Sequence, residues 1–205
     1  VEKGDILATM EGPTKSLLKG ERTALNLVQH MSGIATATRR CVDLVAGTKA
    51  TIACTRKTLP GLRPIQKYAV VCGGGRNHRY NLSDAAMLKD NHIDAYGSLT
   101  KAVETLRSRT GHMVKIECET RTLEELQEAL DCGVDVIMLD NMDLPTMKKA
   151  VELTAGRAKL EASGNITEEN IAQVAATGVD IISLGALTHS VKCFDISMKI
   201  KRKEN

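Results

Sequence analysis

The sequence predicts an α/β fold, a TIM-like parallel (β/α) barrel that need not be complete. Three observations carry that prediction. From residue 113 on, short aliphatic runs alternate with amphipathic helical stretches almost without padding. The runs are apolar throughout, as strands buried on both faces are, instead of alternating apolar with polar residues. One segment also repeats: Cys132-Gly-Val-Asp-Val-Ile-Met-Leu139 and Thr177-Gly-Val-Asp-Ile-Ile-Ser-Leu184 share their Gly, Val, Asp, Ile and Leu positions. Parallel strands need right-handed helical crossovers, and enough such units close on themselves.

The elements follow in order. Residues 4–12, with glycine at both ends, read as paired short strands around turns. Leu25 to Val45 carries a long helical stripe through Leu27, Val28, Met31, Ile34, Cys41 and Val45, with Thr23 as its cap and Gly47 as its stop. Residues 50–54 and 69–72 read as strands. Ser98 to Arg109 reads as a helix ended by Gly111. Strand 113–118 leads to a capping box, Thr122-Leu-Glu-Glu125, and a helix to Cys132 with Gly133 as its left-handed stop. Strand 134–139 precedes a helix that opens near Asp143, takes Pro145 in its first turn and ends at Gly156. Strand 159–162, a helix from Thr167 to Gly178 and strand 179–184 complete the series.

Composition narrows the function classes. The 205 residues suit one ample domain, or one domain with a fragment of another. At 42% hydrophobic and 26% charged, with no Trp, one Phe and three Tyr, the chain must build an aliphatic core. Scarce aromatics argue against a platform for stacking single-stranded nucleic acid. A net charge of +3 is too slight to imply a polyanion partner. No apolar run approaches the roughly 20 residues of a membrane span, and no signal peptide is visible, although the chain opens on Val1. None of the six cysteines forms a C-x-x-C pair, so buried free thiols in a reducing cytoplasm are expected instead of disulfides or zinc.

The polar residues gather just after the strands. Strand 50–54 delivers Thr55-Arg56-Lys57-Thr58, and residues 69–72 run into Gly73-Gly-Gly-Arg-Asn-His78-Arg79. Strand 113–118 carries Glu117, with Glu119 beyond it. The later strands end in Asp140-Asn141, Ser163-Gly164-Asn165 and Gly185-Ala186. Ligands of parallel α/β folds bind at the carboxyl ends of strands, so these residues are expected at one mouth. Arg56, Lys57, His78, Arg79 and Lys89 offer cationic donors, and an Arg fork matches carboxylate or phosphate. Glu117 and Asp140 could meet Mg²⁺, ribose hydroxyls or a developing cation, or simply pair with the bases. The small loops at 163–165 and 185–186 can cradle a phosphate with backbone amides, although glycine there can equally serve the turn. His30 and His112 read as structural or solvent-facing. His189 stands near the phosphate end, and His92 lacks a partner at metal-ligand spacing.

The same motifs resemble quinolinate phosphoribosyltransferase, also called nicotinate-nucleotide pyrophosphorylase (carboxylating). They are Glu21-Arg22-Thr23-Ala24-Leu25-Asn26, Thr55 to Thr58, Gly73 to Arg79, Leu88-Lys89-Asp90-Asn91-His92, Lys115 to Glu119, Met138 to Asn141, Glu161 to Asn165 and Asp180 to Gly185. They occur in order along almost the whole chain. The resemblance implies residues 1–48 as the remnant of an N-terminal α/β sandwich with the long helix. It implies a barrel over 49–187 and a tail over 188–205 that returns to the N-terminal part. It further implies transfer of phosphoribose from phosphoribosyl pyrophosphate to quinolinate with decarboxylation, giving nicotinate mononucleotide, with Mg²⁺ as cofactor. Lys57, Glu117 and Asp140 would be catalytic, the two acids also holding Mg²⁺ directly or indirectly. Arg22, Arg56, His78, Arg79 and Lys89 would hold quinolinate, with Arg22 donated across a homodimer. Lys57, Ser163, Gly164, Asn165 and Gly185 would hold the phosphates. Asn165 stands where many relatives have Gly and adds a side chain to the phosphate loop.

Three other readings compete. A paralogue, such as the molybdenum-transport-associated relative, would use another acceptor and alter Arg56, His78 or Arg79. An inactive phosphate-binding subunit would not need Glu117 and Asp140. A Schiff-base aldolase would need Lys89 or Lys115 to be buried.

Overall fold

The computed structural model describes residues 1–201, in which six parallel strands and eight helices alternate. Helix α1 spans Thr14–Leu44, and β1 (Thr51–Ala53), α2 (Arg63–Cys72) and β2 (Ala86–Leu88) follow. Next come α3 (Asp90–Tyr96), α4 (Leu99–Arg109), β3 (Ile116–Thr120) and α5 (Leu123–Asp131). The series ends with β4 (Val136–Asp140), α6 (Leu144–Thr154), β5 (Lys159–Ser163), α7 (Ile171–Ala175), β6 (Ile181–Ser183) and α8 (Ala186–His189).

The sheet order is β1-β6-β5-β4-β3-β2, every pair parallel. This is a barrel wall left open between β1 and β2. The segment after α2 enters the gap. Arg76 donates its N–H to Ile52 O at 2.8 Å and accepts from Cys54 N at 3.1 Å, which makes one rung beside β1. Arg79 reaches the other edge through its side chain, with Nη1 donating to Ala85 O at 3.0 Å. The cationic loop is therefore itself the stave that spans the opening.

Strand alternation divides the residues by face. Ile52, Ile116, Cys118, Ile137, Leu139, Leu160, Ala162 and Ile182 join the hydrophobic cluster under the helices. Glu117, Met138, Glu161 and Ser183 are buried too but lie outside that cluster, on the inner face.

The repeated Gly-Val-Asp has a structural meaning. Asp135, just before β4, accepts the Ile116 N–H of β3 at 2.9 Å, and Asp180, just before β6, accepts the Leu160 N–H of β5 at 3.0 Å. Each Asp also donates its own N–H back, to Ile116 O and to Leu160 O. The motif ties the start of one strand to its neighbour and sets the register.

Local signals place most boundaries. Thr122 accepts from Glu125 N at 3.2 Å, while the Glu125 carboxylate reaches back to Arg121 N at 2.6 Å, one residue earlier than a regular capping box. Ser98 and Asp143 cap α4 and α6, and Gly133 takes φ +63° after α5.

Four expectations need correction. Residues 69–72 are the end of helix α2, not a strand, because Pro64 in the first turn starts a helix that buries Gln66, Lys67, Ala69 and Val70 at helical spacing. Helix α1 begins at Thr14, so Thr23 lies inside it; Pro13 precedes a run of good helix formers with nothing to stop the helix earlier. Residues 1–12 form no strand and are exposed, since no neighbouring edge offers them hydrogen bonds. Thr167 opens a turn, and α7 itself starts at Ile171 after Asn170.

The segment after α8 returns to α1. Phe194 N donates to Gln29 O at 3.0 Å, Gln29 Nε2 donates to Ile196 O at 2.9 Å, and the Lys192 carbonyl lies directly over Gly33, where a Cβ would collide with it. Among the described residues no helix is long and apolar enough to cross a membrane. All six cysteines are free; Cys41, Cys54 and Cys118 are buried as expected, but Cys72 and Cys193 are exposed. Burial pushes the Cys118 thiol up to about 12.

Candidate active site

The inner face is polar where the register brings β3, β4 and β5 together. Met87 pairs with Glu117, Met138 with Glu161 and Asp140 with Ser163, so these side chains share one side of the sheet. Glu117 is 5% exposed and Glu161 2% exposed. Buried acids persist only with partners, and here the partner comes from the gap-filling loop. His78 Nε2 lies 3.1 Å from Glu117 Oε2 and 3.5 Å from Glu161 Oε2.

The electrostatics follow from that crowding. Burial, and secondly the charge of Glu117, push the Glu161 carboxyl up to about 7, partly offset by His78 and Ser183. Burial works against a charged His78 ring, whereas the hydrogen bond to Glu117 and the charges of both acids work for it; the net direction is up.

His78 is anchored from behind. Buried Lys67 on α2 donates to the His78 carbonyl at 2.8 Å and to Cys54 Sγ at 3.1 Å. Gln66, one residue earlier and also buried, donates to Thr188 O at 3.0 Å, accepts from Leu59 N at 2.9 Å and meets His30 Nε2 at 2.8 Å. Two adjacent polar residues of α2 thus fix the loop after β1 and the loop at 78.

Arg56 and Arg79 form the cationic part. Among the described residues neither guanidinium has a carboxylate within ion-pair distance, and Arg56 Nε is buried with no hydrogen-bond partner. Arg79 is held in place by Ala85 O and by Met87 Sδ at 3.3 Å. Burial and the nearby charge of Arg56 lower its proton affinity, with Glu117 partly offsetting them. Two like charges kept together without counter-ions make a site for an anion.

Lys57 sits at the far end of the β1 loop. Its carbonyl accepts from Thr188 Oγ1 at 2.8 Å, and a Cβ built on Gly185 would lie 3.0 Å from Lys57 Cδ and 3.0 Å from His189 Nε2. Gly185 is therefore the floor between Lys57 and His189, and any larger residue would fill it. At the end of β5, Gly164 (φ +92°) lies against the Asn141 side chain with no room for a Cβ. Asn165 Nδ2 donates to Asn141 Oδ1 at 2.9 Å, and Asn170 Nδ2 donates to Asn165 O at 3.1 Å. The extra side chain at 165 thus closes the loop onto β4 and does not project into open space.

The structure brings His78 to Glu117, Arg56 to Arg79, Lys57 to Gly185, and the 163–165 loop to Asn141 beside Asp140. Two predicted residues stand apart. Arg22 is exposed on α1 and meets none of the others within the chain. Lys89 is exposed and pairs with Glu119 Oε2 at 3.1 Å. Lys115 is exposed as well, so neither lysine has the burial that Schiff-base chemistry needs. His92 accepts from Lys89 N at 3.0 Å and caps α3, a structural duty.

Two functional side chains escaped the sequence reading. Glu161 was passed over within a short strand, although an acid at an alternate position of an apolar strand is a usable signal. Lys67 carries no signal in the sequence, because it lies just before residues 69–72, whose composition is that of a strand and hides the helix that buries it.

Of the two predicted Mg²⁺ ligands, Asp140 is half-buried at the rim, and its carboxylate makes no ion pair among the described residues. Glu117 is instead engaged by His78. Among the described residues, the three acid or imidazole groups close enough to share one ion are His78, Glu117 and Glu161, without Asp140. A hard cation that keeps most of its waters fits Asp140 on the open rim better than direct chelation by Glu117 and Asp140 together.

Comparison with known proteins agrees in sequence and fold. Residues 34–199 match the family described as quinolinate phosphoribosyl transferase, C-terminal domain, and residues 1–32 match its N-terminal domain. A Bacillus subtilis protein described as a probable nicotinate-nucleotide pyrophosphorylase (carboxylating) is 50% identical over 200 residues, covering 98% of this chain and 69% of its own length. A Mycobacterium leprae protein, nicotinate-nucleotide pyrophosphorylase (carboxylating), is 46% identical over 203 residues, covering 98% and 71%. The crystal structure of NadC from Streptococcus pyogenes superposes with a TM-score of 0.89 at 48% identity, covering 92% of this chain and 66% of that one.

Proposed function

The chain belongs to the quinolinate phosphoribosyltransferase family, and from that premise we propose that it transfers phosphoribose from phosphoribosyl pyrophosphate to quinolinate. The products are nicotinate mononucleotide, pyrophosphate and CO₂. The observation that carries this reading is the pair of guanidiniums, Arg56 and Arg79, near enough for their charges to repel, neither of them in an ion pair among the described residues, with the buried acid Glu117 close by. A dicarboxylate supplies the missing negative charge. The acids carry the charge that would stabilise a sugar cation.

The reaction follows from charge. Quinolinate docks its carboxylates on Arg56 and Arg79, which turns its ring nitrogen toward the sugar. Lys57 meets the pyrophosphate end, and the backbone around Ser163, Gly164, Asn165 and Gly185 takes the 5′-phosphate. As pyrophosphate leaves, the ribose carbon gains oxocarbenium character, which Glu117 and Asp140 stabilise through fixed negative charge. The ring nitrogen then attacks that carbon. Once quaternary, its positive charge stabilises the electron pair left on the neighbouring ring carbon as the carboxylate departs as CO₂, and a proton taken up from water completes the C–H bond there. A Mg²⁺ ion would be held by Asp140 and would supply charge neutralisation of the leaving diphosphate. The protein contributes mainly orientation and preorganised charge.

Arg22, exposed on α1, serves the site of a second copy in a homodimer. The buried thiols suit a reducing, cytoplasmic setting.

The test is direct. The purified full-length protein should form nicotinate mononucleotide from quinolinate and phosphoribosyl pyrophosphate, and Glu117→Ala should lower kcat by about 10²–10³. Arg79→Ala should raise KM for quinolinate. Turnover of nicotinate but not of quinolinate would overturn the proposal.

A further inference from the structure

We propose that Gln66 is a positioning residue for the phosphate end of the site: its side-chain amide, together with the Thr188 hydroxyl, sets Lys57 and His189 around Gly185. The effect on turnover rests on the transfer reaction proposed above; the join between the segments does not.

Gln66 is 0% exposed on α2. A buried primary amide has two N–H groups and a carbonyl to satisfy. Leu59 N donates to it at 2.9 Å, which identifies the accepting atom as Oε1 and leaves Nε2 as the donor. Nε2 lies 3.0 Å from Thr188 O, which can only accept. It also lies 2.8 Å from His30 Nε2, which therefore offers its lone pair to the second N–H. One amide thus joins the loop after β1, helix α8 and helix α1, and every polar atom it carries is used.

The first two of those segments carry the phosphate-facing side chains. Leu59 stands just beyond Lys57 and Thr58, and Thr188 O belongs to the peptide that leads into His189. Thr188 then ties the two segments to each other. It is 1% exposed, and its hydroxyl faces Lys57 O at 2.8 Å and Gly185 O at 3.2 Å. Lys57 Cδ and His189 Nε2 both stand at the spot where a Gly185 Cβ would be, each 3.0 Å from it. An anion over Gly185 meets both side chains, and their spacing depends on Gln66 and Thr188.

The carboxylate end has other anchors on the same helix. Arg63 Nη2 donates to Arg56 O at 3.3 Å, and Lys67 Nζ donates to His78 O at 2.8 Å. Those contacts survive a change at Gln66. Loss of the amide should therefore act on phosphoribosyl pyrophosphate and spare quinolinate.

Two measurements on the full chain test this, with circular dichroism to show that each variant is folded. In steady-state kinetics Gln66→Met keeps the bulk and removes the polar contacts. It should raise KM for phosphoribosyl pyrophosphate about tenfold or more, with KM for quinolinate changed less than about threefold. Thr188→Val should do the same, and Thr188→Ser, which keeps the hydroxyl, should recover most of the loss. Equal rises for both substrates, or no rise in either variant, overturn the proposal. If Gln66→Met does not fold, the two Thr188 variants decide by the same criterion.

The second measurement is NMR of ligand-free protein. The Leu59 amide lies outside any helix or strand, yet should exchange slowly with solvent, and about tenfold or more faster in Gln66→Met. The Lys57 and His189 resonances should move in Gln66→Met and in Thr188→Val. An unprotected Leu59 amide in the wild type, or unmoved Lys57 and His189 resonances, overturn the proposal. Should the wild-type protein make no product, the functional reading fails and these spectra alone decide this one.

Discussion

Glu161 is held between Met138 and Ile181 in the sheet with 2% of its surface exposed. Burial and Glu117 push its carboxyl up to about 7, from an ordinary value of 4.5. Between those two values the folded chain keeps a proton that the unfolded chain has lost. Stability from this group is therefore fullest at acid pH and falls as pH rises through the window. Thermal melts of the wild type and of Glu161→Gln should diverge accordingly. The wild-type midpoint should drop relative to the variant between about pH 5 and pH 7.5. Parallel curves would show that Glu161 ionises freely. At this scale the sequence was partly legible. Arg56, Lys57 and Asp140 could be named from strand-end position, and His78 and Arg79 from the polar loop after an apolar run that is the end of α2, because a polar residue after an apolar run is visible in one dimension; Glu117 stood out as an acid within a strand. Glu161 and Lys67 could not be assigned roles, because their meaning depends on what stands opposite them.

Among the elements, the Gly-Val-Asp echo bears most directly on stability. Asp180 accepts from Leu160 N and pairs with Lys159 at 3.0 Å and Lys49 at 3.3 Å. Burial opposes its ionised form, yet the Leu160 N–H and the two lysines prevail and hold its carboxyl below the usual range. Asp180→Ala leaves the Leu160 amide without its acceptor at the β5–β6 junction and should cost about 1–3 kcal/mol in urea unfolding. The lysines, largely exposed, add little. An unchanged midpoint would mean that the motif does not set the register. The barrel strands from β3 onward were legible because their apolar runs are bounded by caps and glycines. Helix α2 was not. Its Tyr68-Ala-Val-Val-Cys72 end has the composition of a strand, and packing of Ala69 and Val70 beside Ile34 and Cys54 carries the helix begun at Pro64 through it.

At the scale of the molecule, the barrel gap is spanned by the same loop that carries His78 and Arg79, so closing the wall and building the site are one event. Arg22 remains outside that site, on a stretch of α1 where Leu18, Leu27 and Val28 are exposed. If a second copy covers this stretch and receives Arg22, two inactive variants should complement each other. Mixing Arg22→Ala with Arg79→Ala, after dissociation and reassembly, should restore up to about a quarter of wild-type activity, since half the dimers are mixed and each has one intact site. No recovery would place Arg22 outside the partner's site. The sequence by itself determined the parallel α/β class, most strands and caps, and the residues offered at the strand ends, because those depend on period, turn chemistry and chain order. Only the tertiary structure decided that the wall opens between β1 and β2, that residues 73–79 fill it, and that His78 meets Glu117 and Glu161. Those pairings join residues up to 83 positions apart, Glu161 minus His78, and nothing local in the chain encodes which polar groups meet when the sheet curls.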